Sequence, residues 1–114
     1  MKRAHWLCLG VIVSVALGAD DAKVDDWSTR RREFSEKATR AFADKDWQEA
    51  HHHYSAILKR EPDNPLILAN LGAVEYQLGD LNACYHHLER ALALKGDLVA
   101  SREMLGMAYH RGNQ

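Results

Sequence analysis

Residues 46–50 read Asp-Trp-Gln-Glu-Ala, and residues 80–84, 34 positions further on, read Asp-Leu-Asn-Ala-Cys. The same period carries Ala38 onto Gly72 and Gly72 onto Gly106. A fixed period of roughly 20–50 residues is typical of stacked supersecondary units, none of which can bury its apolar face alone. The chain is therefore predicted to be a repeat protein.

Each full copy is predicted to contain two amphipathic helices. In the second helix of the first copy, apolar residues lie at offsets of 3, 7, 10 and 11 from Trp47, and the next copy repeats these offsets from Leu81. Such spacing keeps apolar side chains on one helical face. The fold class is therefore all-α, with helices predicted at about 29–43, 47–59 and 65–78, a fourth that contains residues 81–92, and a fifth at about 98–110.

The turns between these helices carry their own signals. Lys45 stands where the second copy has Gly79, in a turn that favours a left-handed backbone and costs about 1 kcal/mol for a residue with a side chain. Asp46 is predicted to cap the following helix, with Glu49 completing a capping box. Between the hairpins, residues 61–65, Glu-Pro-Asp-Asn-Pro, end one helix and begin the next.

Length and charge limit the classes of function. The chain has 114 residues, of which 46% are hydrophobic and 27% charged, and its net charge is −1. This predicts one domain of ordinary globular composition. Without residues 1–18, where Lys2 and Arg3 are the charged side chains, the net charge is −3. A nucleic-acid partner or a polybasic membrane patch is therefore not expected.

The N-terminus has the pattern of a secretory signal peptide. Lys2 and Arg3 precede an apolar run over residues 6–17, and small residues end the segment at Gly18. A membrane-spanning helix needs about 20 apolar residues, so this run is short for one. Residues 1–18 are predicted to be cleaved, which makes the protein exported, periplasmic or extracellular. The alternative is an uncleaved membrane anchor formed by residues 6–17.

The segment that follows leads into the repeats. Residues 19–28 are acidic and lack a sustained period, so they are predicted to be a flexible lead-in to a domain over residues 29–114. After cleavage of the signal segment, which contains Cys8, the only cysteine left is Cys84. Stability must then come from helix packing and not from a disulfide. The repeat register places Cys84 inside.

These features together resemble the tetratricopeptide repeat family over about residues 31–114. The family motif has a large residue, Leu-Gly and an aromatic in its first helix, and spaced small and aromatic residues before a closing Pro in its second. Matching positions are Phe34, Ala38, Ala50, Tyr54, Ile57 and Pro62 in the first copy, Leu68, Leu71, Gly72, Cys84, Leu88 and Ala91 in the second, and Leu105, Gly106 and Tyr109 in the third.

The resemblance implies a right-handed α-solenoid of antiparallel helical hairpins, with two full repeats at about 31–64 and 65–98 and a partial third at 99–114. The small residues of the motif are expected where neighbouring backbones approach most closely. Three positions depart from the motif: Lys37 stands where Leu is usual, Glu75 where Tyr is usual, and Gly96 where Pro is usual.

The resemblance also implies a protein-binding adaptor whose first helices line a concave groove, here called the predicted groove. Some members grip a C-terminal carboxylate there, but only Asn70 matches such a clamp, which is therefore absent. A mixed apolar groove that holds an extended or helical segment is expected instead. Its residues would be Arg32, Ser35, Thr39, Phe42, Leu66, Ala69, Asn70, Ala73, Tyr76, Gln77, Glu103, Met107, His110 and Arg111.

The histidines are the strongest candidates for other chemistry. Residues 51–53 are three histidines, and His86 and His87 follow one period after His52 and His53. Zinc needs converging ligands, whereas adjacent residues on a helix point about 100° apart, so polar positions on the outer helices are the preferred interpretation. No catalytic pattern is present, and the chain is predicted to be a non-enzyme without metal or cofactor.

The fifth helix suggests a second kind of function. Its group of Met104, Met107 and Tyr109 is predicted to be partly exposed, and repeat arrays usually need three or more units and a polar cap. Either the chain is the first part of a longer array, or residues 98–114 pair with a partner or a second copy. The alternative to an adaptor is therefore a self-assembling structural module.

Overall fold

The computed structural model describes residues 26–114, so the predicted signal segment and most of the lead-in lie outside the described residues. Residues 33–114 form one compact unit, and residues 26–32 are the described part of another. The described residues contain no strand. The five helices are α1 (Asp26–Ala43), α2 (Trp47–Arg60), α3 (Pro65–Leu78), α4 (Leu81–Leu94) and α5 (Val99–Gly112).

The all-α prediction is confirmed, but two helices are longer than the sequence predicted. Helix α1 begins at Asp26, inside the stretch 19–28 that was assigned to a flexible lead-in. There Arg30 Nη2 donates to Asp26 Oδ2 at 2.8 Å, one helical turn away, and an acidic residue in a first turn also suits the helix dipole. Helix α5 continues to Gly112, with the Asn113 N–H bonded to the Tyr109 carbonyl at 3.2 Å.

The turns within the two hairpins have the predicted left-handed residue. Lys45 has φ of 59° and Gly79 has φ of 82°. Asp46 and Asp80 follow them and cap α2 and α4, each accepting a hydrogen bond from the backbone N–H three residues on. The two hairpins therefore turn in the same way although only one has glycine.

Replacing Lys45 by glycine is expected to raise the free energy of unfolding by roughly 0.5–1 kcal/mol, because the left-handed backbone strains a residue that has a Cβ. Urea unfolding followed by circular dichroism measures this change. The matched control is Gly79→Lys, which should lower the free energy of unfolding by a similar amount. Equal stability of all three chains would contradict the assignment of strain to residue 45.

The core of residues 33–114 consists of two apolar clusters. The first joins α1, α2 and α3, and its buried residues are Ala38, Ala41, Ala50, Tyr54, Ile57, Ile67, Leu71 and Val74. The second joins α4 and α5 through Cys84, Leu88 and Ala108, with Tyr76 of α3 packed against it. The small residues at 38, 50, 72 and 84 are all buried, as the sequence predicted. Among the described residues, no helix is both long and apolar enough to cross a membrane.

Candidate functional site

The end of α3 and the second half of α5 together form a cavity of about 620 Å³. Four of the predicted groove residues meet there: Tyr76 from α3, and Met107, His110 and Arg111 from α5. Met107 is 51% exposed, so a large apolar side chain is available at the surface. The cavity combines an aromatic ring, a thioether, an imidazole and a guanidinium.

Arg111 fixes the relation between the two helices of this cavity. Its Nη1 donates to the Tyr76 carbonyl at 2.7 Å, and its guanidinium carbon lies 5.1 Å from the centroid of the Tyr76 ring. A cation near the C-terminal carbonyls of α3 also suits the dipole of that helix. Arg111 therefore holds the Tyr76 ring in place and lends positive charge to the cavity wall.

A second, smaller cavity of about 120 Å³ lies further along the same two helices. Its predicted groove residues are Ala69, Asn70 and Ala73 of α3. The sequence analysis had not assigned its other members to the groove. They are Leu88, Ala100, Ser101 and Met104. With two alanines of α3 opposite an alanine and a methionine of α5, this cavity is mainly apolar, and Asn70 supplies an exposed amide.

The remaining predicted groove residues do not line either cavity. Phe42 packs edge-on against Trp47 with ring centroids 5.2 Å apart, and Thr39 is exposed on α1. Leu66 borders a separate cavity of about 520 Å³ at the turns between the repeats. Ser35 is half-buried on α1, whereas Arg32, Gln77 and Glu103 are exposed on their helices.

The histidines differ from one another more than the sequence suggested. His52 and His86 are exposed, as polar positions on outer helices should be. His51 and His87 instead converge on the carboxylate of Glu75, which is 2% exposed. The distances are 3.3 Å from His51 Nε2 to Oε2 and 2.6 Å from His87 Nδ1 to Oε1. The signal for this cluster was the departure from the family motif at position 75.

Three ionisable groups of the described residues have a raised pKa. Burial, together with the Glu75 and Asp80 carboxylates, raises the pKa of the Cys84 thiol to about 11. Burial also raises the pKa of Tyr54, and a hydrogen bond to Glu89 raises the pKa of Tyr109. A raised pKa keeps a thiol or phenol protonated, which is the opposite of an activated nucleophile. No group of three or more His, Cys, Asp or Glu within residues 26–114 is arranged to hold a metal ion.

The structure thus defines a class: a helical-hairpin repeat protein whose first helices share one face. The tetratricopeptide repeat family model matches residues 41–108, more than half of the chain. The chain belongs to the tetratricopeptide repeat family. No curated protein matches this chain. Members of the family typically are non-catalytic modules that mediate protein–protein interaction.

Proposed function

We propose that this protein is a non-catalytic adaptor that binds a peptide segment of a partner protein along α3 and α5. The observation that carries the proposal is the pair of cavities between these helices, which bring together seven of the predicted groove residues. Their walls are mainly apolar and include the exposed Met107. Export directed by residues 1–18, which lie outside the described residues, is part of the proposal.

The chemistry of the two cavities defines the kind of peptide expected. The smaller cavity has alanine and methionine walls, so it suits a compact apolar side chain. The larger one presents the Tyr76 ring and the exposed Met107, which suit a second apolar or aromatic side chain. Asn70 lies beside the smaller cavity, where its amide can bond to a peptide backbone. The expected ligand is a segment with two apolar anchors.

Replacing Tyr76 by alanine is expected to weaken binding of such segments at least about tenfold, the size of effect that truncating a central aromatic contact produces. The probe is a set of peptides selected on the full-length protein from a random phage-displayed library. Their dissociation constants are then measured by isothermal titration calorimetry on both chains. Circular dichroism must show unchanged helix content in the variant.

The matched control is His86→Ala, which removes an exposed ring from α4, outside both cavities. This variant should bind the selected peptides with unchanged affinity. If Tyr76→Ala also binds them with full affinity, the site lies elsewhere. A library that yields no binder to the full-length protein would count against a peptide groove of any kind.

The second candidate function is self-assembly through α5. Its supporting observation is a set of large apolar side chains exposed at the ends of the last two helices: Leu94 at 45%, Val99 at 63% and Tyr109 at 43%. Light scattering over a range of protein concentrations separates the two functions. A defined dimer that dissociates in the Val99→Lys variant would support self-assembly. A monomer at every concentration would exclude self-assembly and favour the adaptor function.

A further inference from the structure

Glu75 is a charged residue in the interior of the repeat stack. Its side chain is 2% exposed, although Glu is rarely buried so completely without partners. Its two oxygens face different helices, because Oε2 meets His51 of α2 and Oε1 meets His87 of α4. One carboxylate of the second repeat therefore links three helices, and its contact with His51 joins the two full repeats.

The 34-residue period allows the contact between His51 and Glu75 to be compared with the equivalent contact one repeat further on. Counting one period onward, His51 corresponds to Tyr85 and Glu75 to Tyr109. Those two tyrosines are stacked with ring centroids 4.9 Å apart. The same place in the stack thus holds a ring pair between α4 and α5 and an imidazole–carboxylate pair between α2 and α3. A contact that needs no ionisation in one repeat has become ionisable in the other.

In the first repeat, the position equivalent to Glu75 is an alanine. One period before His87 and Glu75 lie His53 and Ala41, which line one cavity of about 410 Å³. Nδ1 of His53 is buried with no hydrogen-bond partner, whereas the corresponding Nδ1 of His87 is bonded to Glu75. A proton added to His53 Nδ1 would have no acceptor. His53 Nε2 instead lies 3.2 Å from Oε2 of Glu49, a carboxylate that is 60% exposed, whereas His87 faces the buried carboxylate of Glu75.

The charges around Glu75 favour one bound proton. When both imidazoles are neutral, they donate two N–H groups to a carboxylate that remains a buried negative charge, which is costly. A proton on either ring makes the cluster neutral. His51 can hold it with both nitrogens satisfied, because its Nδ1 lies 3.5 Å from Ser55 Oγ, and a hydroxyl both donates and accepts.

Other groups near Glu75 do not supply that positive charge. The Cys84 thiol on α4 stays protonated, and Asp80, in the turn before α4, is itself negative. The Arg111 guanidinium from α5 donates to the carbonyl of Tyr76 and lies over the Tyr76 ring, at the larger cavity. The imidazoles of His51 and His87 are therefore the groups that can neutralise the carboxylate.

We propose that His51, Glu75 and His87 form a proton-binding site that ties α2, α3 and α4 together and strengthens the repeat stack at mildly acidic pH. The folded chain then binds one proton more than the unfolded chain over the range where free histidine is neutral. Linkage requires stability to rise as pH falls whenever the native state binds more protons. Tyr76, the residue after Glu75 on α3, lines the larger of the two cavities.

The test compares the full-length protein with Glu75→Gln, a variant that keeps the size of the side chain and removes its charge. Urea unfolding is measured between about pH 8 and about pH 6.5, the pH at which free histidine is about half protonated. As the pH falls over this range, the unsubstituted protein should become about tenfold more stable relative to Glu75→Gln, measured as the ratio of their unfolding constants. A difference of one bound proton changes an unfolding constant about tenfold for each unit of pH. The comparison cancels the contributions of the histidines outside the cluster, which both chains share.

The matched controls are His52→Gln and His86→Gln, exposed neighbours of the two ring partners. Both should keep the pH dependence of the native protein. Because Glu75→Gln could unfold, a second measurement uses the native protein alone. Long-range ¹H–¹⁵N spectra of the imidazoles should show that the His51 and His87 rings respond to pH together, as members of one cluster, and differently from the exposed rings of His52 and His86.

Three results would overturn the proposal. The first is an identical pH dependence in the native protein and Glu75→Gln. The second is titration of His51 and His87 in the same manner as the exposed rings. The third is stabilisation by added Zn²⁺ that Glu75→Gln abolishes, since this would make the cluster a metal site and not a proton site.

Discussion

A Gly72→Val chain is expected to lose about 3 kcal/mol of unfolding free energy, the upper part of the usual range for overpacking a core. Gly72 is buried on α3 where that helix meets α4. A Cβ at this position would lie 2.6 Å from Leu88 Cδ2 and 2.7 Å from Leu88 Cγ. Leu88 is 1% exposed, and because its Cγ as well as its Cδ2 would be too close, the whole side chain would have to shift. Valine would therefore force the two helices apart.

The matched control is Gly106→Val, one period further along the chain. A Cβ at Gly106 would meet no atom within 4 Å, so the same substitution should change the unfolding free energy by less than about 0.5 kcal/mol. Urea denaturation followed by circular dichroism gives both values. Equal losses at the two positions would show that the glycine serves helix geometry in general and not the approach of α3 to α4.

The fold was readable from the sequence because its determinants are local and periodic. Small residues at 72 and 84 mark the close approach of helices, and Pro65 and Gly79 mark the ends of α3. The predicted start of α1 was three residues too late, because apolar periodicity does not register stabilisation by pairs of charged side chains. The bond between Asp26 and Arg30 lies in the turn that begins three residues before the predicted start of the helix.

The candidate site was readable only in part. The repeat register predicted that Tyr76, Met107 and Arg111 share one face, because it fixes which helical face a residue occupies, and the three residues line one cavity. The repeat register does not determine which neighbouring side chain a residue contacts. Thus the Phe42 ring packs against Trp47 of α2 and does not line either cavity. Side-chain direction depends on packing between helices, which a single sequence does not record.

The Glu75 cluster shows where the family motif itself was informative. Glu75 departs from the tyrosine usual at its position, and that departure identified an unusual place in the stack. The reason became visible only when helices α2 and α4 were placed on either side of it. Residues 51 and 75 are 24 positions apart, and residues 75 and 87 are 12 apart, so neither pair forms a helical-turn contact.

Cys84 is expected to be nearly unreactive in the folded protein, at least about a hundredfold slower than in the unfolded chain. Its side chain is 0% exposed, and its pKa is raised from the ordinary 9.0 to about 11. Because the thiolate is the reacting species, two units of pKa reduce its population about a hundredfold at neutral pH. Burial then slows the reagent further.

The measurement is the rate of reaction with a chromogenic disulfide reagent at about pH 8, where a free thiol is partly ionised. The chain carries Cys8→Ser, so that Cys84 is the only thiol, and unfolding in urea supplies the reference rate. The matched control moves the thiol to an exposed position of the same helix, with Ala93→Cys and Cys84→Ala in the same background. That thiol should react at nearly the unfolded rate. If Cys84 reacts as fast as Cys introduced at position 93, the face of α4 that packs on α3 is open to solvent, and the close nesting of the hairpins is wrong.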